Sequence, residues 1–379
     1  MSEYPLNQLS KPLRVWAQID LTALKHNLQS LKQKSGLAAV MAVIKADAYG
    51  HGLAAVAHCL ESQQIDFFGV AHIAEAQALT KLAVKTRIYL LGATLPEERA
   101  QIVEHGWTPC ICSLAEAEHL NSLAVSQKKQ LKVHIAIDTG MGRGGFLPEQ
   151  LKEVCIKLSA LDALNYEGVA SHFCSSDEDE AFTHLQIQLF NEAVGILENH
   201  FKREFRYRHL ANTAGILDYN IPSCNLSRPG LGLYGIAVGL GKNTGNNRDL
   251  KPVMTLKSKI TLIRELPKGT SLSYGRDYIT PYKMQVATVG IGYGDGYPRA
   301  VNNNGKAQVF IEGQLCPVLG RVTMDQILVD VSAVPQAMIG SEVELFGPNL
   351  SVNQVSTWSN TIPWEIFTQI TPRVTRIVH

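Results

Sequence analysis

Lys45 is the residue whose position most clearly indicates reaction chemistry, because it directly follows an aliphatic run that ends at Ile44. The stretch from residue 42 to 52 reads AVIKADAYGHG, so that Asp47, Tyr49 and His51 follow the lysine closely. Burial disfavours a charged ammonium, and a lysine at the end of a buried strand must therefore be paired, neutral or covalently bonded. A lysine whose aliphatic chain carries its amine to solvent is the simpler interpretation of this residue taken alone.

Polar side chains in four further segments also follow apolar runs and lie next to glycines. Glycine permits close approach of the backbone to a ligand, and the free N–H groups at a helix start can bind a phosphate. Each segment by itself is equally typical of an ordinary turn. The segments are DTGMGRGG with Asp138 and Arg143, SHF with His172, HLANTAG with Asn212 and Thr213, and SRPGLGLYG with Arg228, Gly230 and Leu231.

The last third of the chain carries similar segments in a different setting. SYGRDY contains Tyr274, GYGDGYPR contains Tyr293, and GRVTMDQ contains Met324 and Asp325. Hairpin turns have the same composition, so none of the three segments is diagnostic alone.

The elements that must position these residues follow two patterns. From RVWAQID at residue 14 onward, short apolar runs alternate with amphipathic segments such as the one with Leu21, Leu24, Leu28 and Leu31 on one stripe. About eight such repeats favour an α/β (β/α)8 barrel over residues 1–245, rather than an open doubly wound sheet, because no GxGxxG follows the first strand. Catalytic groups of such a barrel lie where strands end, and after His172 we expect a helix capped by Ser176.

A Gly/Asn-rich linker over residues 238–252 separates this pattern from short β segments punctuated by Gly and Pro. The second pattern predicts a mainly antiparallel β domain over residues 246–379.

Composition excludes several classes of protein. The 379 residues contain 35 Lys and Arg against 34 Asp and Glu, without a basic block that would indicate a nucleic-acid or membrane partner. Seven cysteines without a CxxC pair argue against a disulfide framework and against a structural metal. The N-terminal segment lacks the apolar run of a signal peptide, and we expect a cytoplasmic protein.

The segments in combination resemble the alanine racemase family, whose members bind pyridoxal 5′-phosphate (PLP) on a barrel. The resemblance extends from AQIDLTALKHN through KADAYGHG, DTGMGRGG, HLANTAG, RPGLGLYG, SYGRDY and GYGDGYPR to the C-terminal PRVTR, in the family's order and over nearly the whole chain. It implies interconversion of L- and D-alanine, which supplies D-alanine for the peptidoglycan of the cell wall. It also implies a homodimer with shared active sites.

The resemblance also assigns roles to residues. Lys45 would attach PLP covalently and exchange protons on one face of the substrate, while Tyr274 of the partner subunit would act on the other face. Arg228 would contact the pyridine nitrogen, and His172, also a cofactor contact, would lie next to the tyrosine. The remaining cofactor contacts would be Tyr49, Arg143, Asn212, Thr213, Gly230, Leu231 and Trp364, and the substrate contacts Arg143, Tyr293, Met324 and Asp325.

Two positions depart from the family's pattern. Trp364 stands where the family usually has a tyrosine on the cofactor phosphate, and Ala136 stands where a lysine often precedes the aspartate of DTGMGR by two residues. That lysine can be carbamylated in relatives, and here we expect an anion such as chloride, ordered water or a neighbouring polar side chain to take its place beside Arg143.

Other functions remain open on the sequence. A non-catalytic PLP carrier shares the barrel and the lysine, but such chains lack the second domain. A PLP-dependent decarboxylase should have an acidic residue in place of Arg228. A serine or broad-specificity racemase is harder to separate, because an apolar pocket rejects one added hydroxyl only weakly.

Overall fold

The computed structural model describes residues 13–37, 39–238, 240 and 249–379. Contacts divide the chain into two compact units. One unit is Leu21–Lys251, and the other combines Pro252–His379 with the described residues that precede Leu21. We call them the barrel unit and the β-rich unit. The described part begins with strand β1 (Val15–Ile19), which belongs to the β-rich unit.

The barrel unit contains eight parallel strands in the spatial order β8-β7-β6-β5-β4-β3-β2-β9. The ring closes between β8 and β9, where Asn225 N donates to Arg208 O at 3.0 Å and Arg228 N donates to Ala211 O at 2.9 Å. The strands are β2 (Ala39–Val43), β3 (Phe67–Val70), β4 (Arg87–Leu90), β5 (Thr108–Ile111), β6 (Leu131–Ala136), β7 (Leu164–Ala170), β8 (Tyr207–His209) and β9 (Leu226–Ser227).

One helix precedes β2, and further helices follow most of the barrel strands. They are α1 (Leu21–Ser35), α2 (Leu53–Glu61), α3 (Ile73–Lys81), α4 (Arg99–His105), α5 (Leu114–Ser126), α6 (Leu151–Ser159), α7 (Glu180–Phe201) and α8 (Thr213–Asp218). Each of the eight strands contributes one buried side chain to a common interior layer, which is formed by Met41, Phe67, Tyr89, Cys110, Ala136, Ala170, Tyr207 and Leu226. The predicted (β/α)8 architecture is confirmed.

The β-rich unit is built on a sheet in the order β13-β16-β15-β14-β17-β10-β1-β18. Its pairs are antiparallel except for the parallel pair β1–β18. The elements are β10 (Met254–Leu266), β11 (Ser271–Leu272), β12 (Tyr278–Ile279), β13 (Met284–Val289), β14 (Gln308–Ile311), β15 (Gln314–Leu319), β16 (Ile327–Asp330), β17 (Glu342–Phe346), α9 (Val352–Trp358), α10 (Pro363–Gln369) and β18 (Thr375–Val378). The prediction of a mainly antiparallel β domain is confirmed. Across the described residues, no helix has both the length and the apolar character needed to cross a membrane.

The first strand differs from its predicted position. The range 1–245 assigned RVWAQID to the barrel, whereas β1 pairs antiparallel with β10 and parallel with β18 in the β-rich unit. A buried strand between two neighbours has the same apolar pattern in either sheet, and its partners here lie more than two hundred residues away. The other predicted boundary, near residue 245, lies outside the described residues.

One predicted cap is wrong. Helix α7 begins at Glu180, and Asp179 caps it by accepting a hydrogen bond from Phe182 N at 2.9 Å. Ser176 instead donates to Asn212 Oδ1 at 3.2 Å. Both residue types are good caps, and the one directly before the helix prevails because its side chain reaches the free N–H groups of the first turn.

Candidate active site

Lys45 follows β2 and begins an unusual turn. The next four residues, Ala46, Asp47, Ala48 and Tyr49, all have φ of 53–54° and form a left-handed turn. For L-residues this conformation costs about 1–2 kcal/mol per residue, so the surrounding structure must enforce it. Glu75 does so by accepting from Ala46 N at 2.6 Å and from Ala71 N at 2.7 Å.

Other hydrogen bonds fix the far end of the turn. Asp47 accepts from Leu53 N at 2.7 Å, and Gly50, with φ of 76°, donates its N–H to Ala46 O at 2.9 Å. The turn thereby sets Lys45 and Tyr49 at defined positions on one rigid segment. Strain held at a defined point in a fold is typical of functional sites.

The Lys45 amine is shifted towards its neutral form. Burial is the main cause that lowers its pKa, the positive charge of Arg143 adds to the effect, and the carboxylate of Glu75 opposes it. A neutral amine is the form that attacks a carbonyl or accepts a proton. The role of Lys45 as a reactive group stays a prediction, and its lowered pKa supports that prediction.

A second feature lies next to the left-handed turn, where the backbone that follows β9, the neighbour of β2, meets Thr213 at the start of α8. Thr213 Oγ1 accepts from Gly230 N at 3.2 Å and from Gly232 N at 3.1 Å. A Cβ added at Gly230 would lie 2.8 Å from Tyr49 Oη, so that the phenol and this backbone are in close approach. Burial raises the pKa of Tyr49 to about 12, and its hydroxyl remains a hydrogen-bond donor at neutral pH. The Gly230 and Gly232 N–H groups are thus already bonded to Thr213, and the donors left for an anion are the hydroxyls of Thr213 and Tyr49, which with Gly230 and Leu231 we call the donor-rich group.

The close approach at Gly230 can be tested with one methyl group. We expect Gly230→Ala to displace Tyr49 Oη, because the new Cβ would meet it at 2.8 Å, and to weaken retention of a phosphate-bearing ligand about tenfold or more. Gly195→Ala is the matched control, since nothing lies within 4 Å of its added Cβ in α7. Equilibrium dialysis of PLP against both variants measures the effect, and equal affinities would contradict it.

Arg228 is buried without a carboxylate partner among the described residues. Its Nη1 donates to His209 Nδ1 at 2.5 Å and to His209 O at 2.9 Å. Its Nη2 donates to Ser171 O at 2.6 Å and lies 3.0 Å from His172 Nδ1. Within the described part of the chain, only its Nε remains without a hydrogen bond. A buried guanidinium with one free donor is suited to hold an acceptor atom of a ligand.

His172 is held neutral by this surrounding. Burial lowers its pKa to about 3, and the charges of Arg228, Arg143 and Lys45 act in the same direction. Because Arg228 Nη2 donates to Nδ1, the ring proton of the neutral form must be on Nε2. His172 can therefore donate from Nε2 to a further group.

The lowered pKa of His172 makes the free energy of unfolding depend on pH. An unfolded histidine binds a proton below its ordinary pKa of about 6.5, whereas folded His172 does not do so until about pH 3, so stability must fall as pH drops through this window. Between pH 7 and pH 5 we expect His172 to contribute a loss of about 2 kcal/mol in the free energy of unfolding.

Denaturant unfolding at the two pH values checks this expectation. His172→Gln should reduce the pH-dependent loss by about that amount. His184→Gln, which changes an exposed histidine of α7, should leave the loss unchanged. An unaltered difference between pH 7 and pH 5 in His172→Gln would contradict the assignment.

Arg143 lies within the Gly-rich turn, and Ala136 ends the strand that precedes it. Asp138 Oδ1 accepts from Gly140 N at 2.9 Å and from Gly142 N at 3.0 Å, which shapes the loop that carries the exposed Arg143. Ala136 is buried in the interior layer, and Cys112 packs against that layer. What balances the charge of Arg143 stays a prediction.

The β-rich unit carries the remaining predicted residues. Tyr274 lies in a short turn between β11 and β12 and is 71% exposed. Tyr293 N donates to Thr323 O at 3.0 Å, and this bond holds Tyr293 next to Met324. Asp325 Oδ1 accepts from Arg373 at 2.8 Å. Trp364 is half-buried in α10. The structure thus brings together Tyr293, Met324 and Asp325.

The sequence interpretation missed a group of buried polar residues inside the barrel. His209 Nε2 is 2.7 Å from His134 Nδ1, and His134 Nε2 is 3.7 Å from Glu167 Oε1, which also binds Arg87. Strand alternation placed His134 on the same face as Ala136, and this was a usable signal. Nothing in the sequence indicated Glu167.

Comparison with known proteins identifies the family. The family described as "Alanine racemase, N-terminal domain" matches residues 19–238, and "Alanine racemase, C-terminal domain" matches residues 253–378. The chain belongs to the alanine racemase family. An alanine racemase of Geobacter sulfurreducens is 38% identical over 374 residues, which cover 95% of this chain and 96% of the relative. One of Halothermothrix orenii is 36% identical, with 95% and 96% covered.

Solved alanine racemase structures have the same fold. The alanine racemase of Clostridium difficile 630 superposes with a TM-score of 0.89 at 33% identity and covers 98% of this chain and 97% of that one. The alanine racemase of Bartonella henselae, described with covalently bound pyridoxal phosphate, has a TM-score of 0.87 at 27% identity, with 97% and 100% covered. Lys45, Tyr49 and Arg228 thus lie in the barrel of an alanine racemase family member.

Proposed function

We propose that the protein is a PLP-dependent alanine racemase that interconverts L- and D-alanine by proton transfer at two faces of Cα. The observation that carries the proposal is the pairing of a partly buried Lys45, whose pKa is lowered, with a buried Arg228 that lacks a carboxylate partner in the described chain. Membership of the alanine racemase family supports it. Supply of D-alanine to the cell wall follows from the same resemblance.

The residues of the barrel unit fit PLP. The Lys45 amine would hold it covalently, and the donor-rich group of Tyr49, Thr213, Gly230 and Leu231 would bind its phosphate. The remaining donor of Arg228, Nε, would bind the pyridine nitrogen. Arg143, Asn212 and Trp364 complete the proposed set. PLP, when bound, delocalises the electron pair that remains at Cα after proton removal.

Proton transfer is assigned to two side chains. Lys45 Nζ removes or returns the proton on one face, and its lowered pKa lets the neutral form serve as base. Tyr274 Oη, from the partner subunit, performs the opposite transfer on the other face. His172, neutral and protonated at Nε2, would lie next to Tyr274 and orient its hydroxyl. Two groups on opposite faces are needed because racemisation returns the proton to the face opposite the one it left.

Arg228 limits competing reactions. A guanidinium donates hydrogen bonds but keeps its proton, so the pyridine nitrogen would stay unprotonated and a weak electron sink. A carboxylic acid there would protonate the ring and favour decarboxylation or transamination. The absence of a carboxylate contact with Arg228 in the described chain therefore supports racemisation.

We propose that the protein works as a homodimer. Tyr274, Tyr293 and Met324 are 71%, 40% and 53% exposed in a single chain, which is expected for residues that a partner subunit covers. Tyr293, Met324 and Asp325 of the partner, with Arg143, would line the substrate pocket. All seven cysteines are free, which supports the proposed cytoplasmic location.

Direct assay separates this function from its alternatives. Purified protein saturated with PLP should convert L-alanine to D-alanine and the reverse, measured by chiral chromatography, with serine compared under the same conditions. Faster turnover of serine would favour a serine or broad-specificity racemase. Retention of PLP without conversion of either amino acid would favour a PLP carrier and contradict the proposal.

Trp364 leads to a prediction about PLP retention and substrate size. An indole donates only through its N–H and is larger than a phenol, so the phosphate would lose one hydroxyl partner and the pocket would narrow. We expect Trp364→Tyr to retain PLP several-fold more tightly and to accept larger amino acids better. Trp358→Tyr, which changes a half-buried tryptophan in the neighbouring α9, is the matched control. Unchanged retention and unchanged substrate preference would contradict the role of Trp364.

A further inference from the structure

A line of buried polar side chains crosses the barrel interior from Arg228. Arg228 Nη1 contacts His209 Nδ1 at 2.5 Å, and His209 Nε2 contacts His134 Nδ1 at 2.7 Å. His134 Nε2 faces Glu167 Oε1 at 3.7 Å, and Glu167 binds Arg87. His209 and His134 are fully buried, and Glu167 is 6% exposed. None of the three contributes to the proton transfers proposed above.

A β-bulge places Glu167 inside the barrel. In the β6–β7 pair the register shifts between Val133 and His134, which oppose Tyr166 and Gly168 and leave Glu167 without a partner. Tyr166 donates its hydroxyl to Leu158 O in α6 and therefore faces outward. Without the bulge, strict alternation would point Tyr166 inward and Glu167 outward. Bulges are rare between parallel strands, and one that redirects a charged side chain into a core indicates a specific role.

Gly168, which follows Glu167, leaves room for the His134 ring against β7. A Cβ on Gly168 would lie 2.7 Å from the ring of His134, so that only glycine lets the imidazole lie against β7. Burying a carboxylate and two imidazoles costs free energy unless each is paired. Arg87 supplies that compensation for Glu167, and its guanidinium also lies 4.4 Å from the centre of the Phe67 ring.

The donors and acceptors of these side chains determine which nitrogen of each histidine carries the proton. Arg228 can only donate, so His209 Nδ1 must accept and the His209 proton must be on Nε2. That N–H then donates to His134 Nδ1, and the His134 proton must be on Nε2, where it faces Glu167. A carboxylate that is ionised can only accept, and Glu167 is ionised because its pKa is lowered to about 2 by His134 and Arg87 despite its burial. The Arg228 end thus sets this order through hydrogen bonds, and the negative charge of Glu167, 3.7 Å from His134 Nε2, favours the same order electrostatically.

We infer that Glu167, held by Arg87, is a positioning residue that favours the Nε2-protonated forms of His134 and His209 and thereby keeps the Arg228 guanidinium in place to donate to the ligand's ring nitrogen. This inference rests on the proposed function for the identity of the ring, but the proton positions do not depend on it. Loss of the carboxylate removes the negative charge that favours a proton on His134 Nε2. The reverse order of donors then becomes accessible, and it sets a His209 N–H against an Arg228 N–H.

The matched variants are Glu167→Gln and Glu116→Gln. Both change a buried carboxylate of the barrel unit to an amide, but Glu116 binds Thr94 N and Cys112 N instead of the histidines. In protein labelled with 15N-histidine and freed of cofactor, both rings should be Nε2-protonated in the wild type and in Glu116→Gln. Glu167→Gln should show an additional Nδ1-protonated population of His134, followed by His209.

In the loaded enzyme, Glu167→Gln should form about tenfold more pyruvate per racemisation event, because the contact that limits transamination is weakened. Glu116→Gln should keep the wild-type ratio. If Glu167→Gln does not fold, His134→Gln and His134→Leu replace it. The glutamine restores an acceptor towards His209 and a donor towards Glu167, so His134→Gln should keep the wild-type amount of pyruvate per racemisation event. The leucine supplies neither, so His134→Leu should raise that amount.

Three results would overturn the inference: Nδ1-protonated His134 in the wild type, unchanged proton positions and pyruvate ratio in a folded Glu167→Gln, or equal ratios in the two His134 variants. Failure of the wild type to racemise alanine would contradict the proposed function alone, since the 15N measurement on cofactor-free protein still judges the order of donors.

Discussion

Replacing Lys45 with alanine is expected to reduce racemisation by about 10⁴-fold or more, because one substitution removes both the covalent attachment of PLP and one of the two proton-transfer groups. The fold should be retained, since the Glu75 and Asp47 hydrogen bonds that hold the turn involve backbone N–H groups and not the Lys45 side chain. Circular dichroism and the rate of D-alanine formation check the two parts of this expectation.

A chemical label identifies the attachment point independently of activity. Borohydride reduction of the wild-type protein with PLP should add the cofactor's mass to the peptide that contains Lys45, and the added mass should be absent in Lys45→Ala. Lys32→Ala is the control, because Lys32 is also half-buried in the barrel unit and donates to Gln63 O at 3.0 Å. It should keep both label and activity. Label on any other lysine would refute the assignment of Lys45.

The position of Lys45 was predictable because its signal is local. An aliphatic run followed by a lysine and a Gly-rich segment specifies a strand end, and in a barrel the strand ends gather at one face. The same reasoning applies to Arg228, which directly follows β9, and to Thr213, which begins the helix after β8. Residues whose positions depend only on strand direction and alternation can be located from the sequence pattern.

Other features depend on contacts that the local sequence does not encode. The left-handed turn after Lys45 requires Glu75, which lies on α3 and hydrogen-bonds to two backbone N–H groups. The bulge at Glu167 reverses the alternation of β7, so a strict period of two assigns its carboxylate to the wrong face. Strand β1 has the apolar pattern of a barrel strand and pairs elsewhere. In each case a distant partner decides between two locally equivalent conformations.

The proposed sharing of active sites between subunits leads to the second large effect. Lys45 belongs to the barrel unit, and Tyr274 belongs to the β-rich unit, where it is 71% exposed. If Tyr274 acts in the partner's site, homodimers of Lys45→Ala and of Tyr274→Phe are each inactive, since each site lacks one of its two proton-transfer groups. A heterodimer has one site with neither group intact and one site with both.

Mixing the two inactive variants should therefore restore activity. With equal amounts and random exchange of subunits, half of the dimers are mixed and each has one complete site, so that about a quarter of wild-type activity should return. Mixing Lys45→Ala with Lys45→Ala,Tyr274→Phe is the matched control, because it forms the same dimers but never a complete site. Native mass spectrometry confirms subunit exchange. Exchange without recovery would mean that Lys45 and Tyr274 of one chain act together, and the proposed dimer would then have no catalytic necessity.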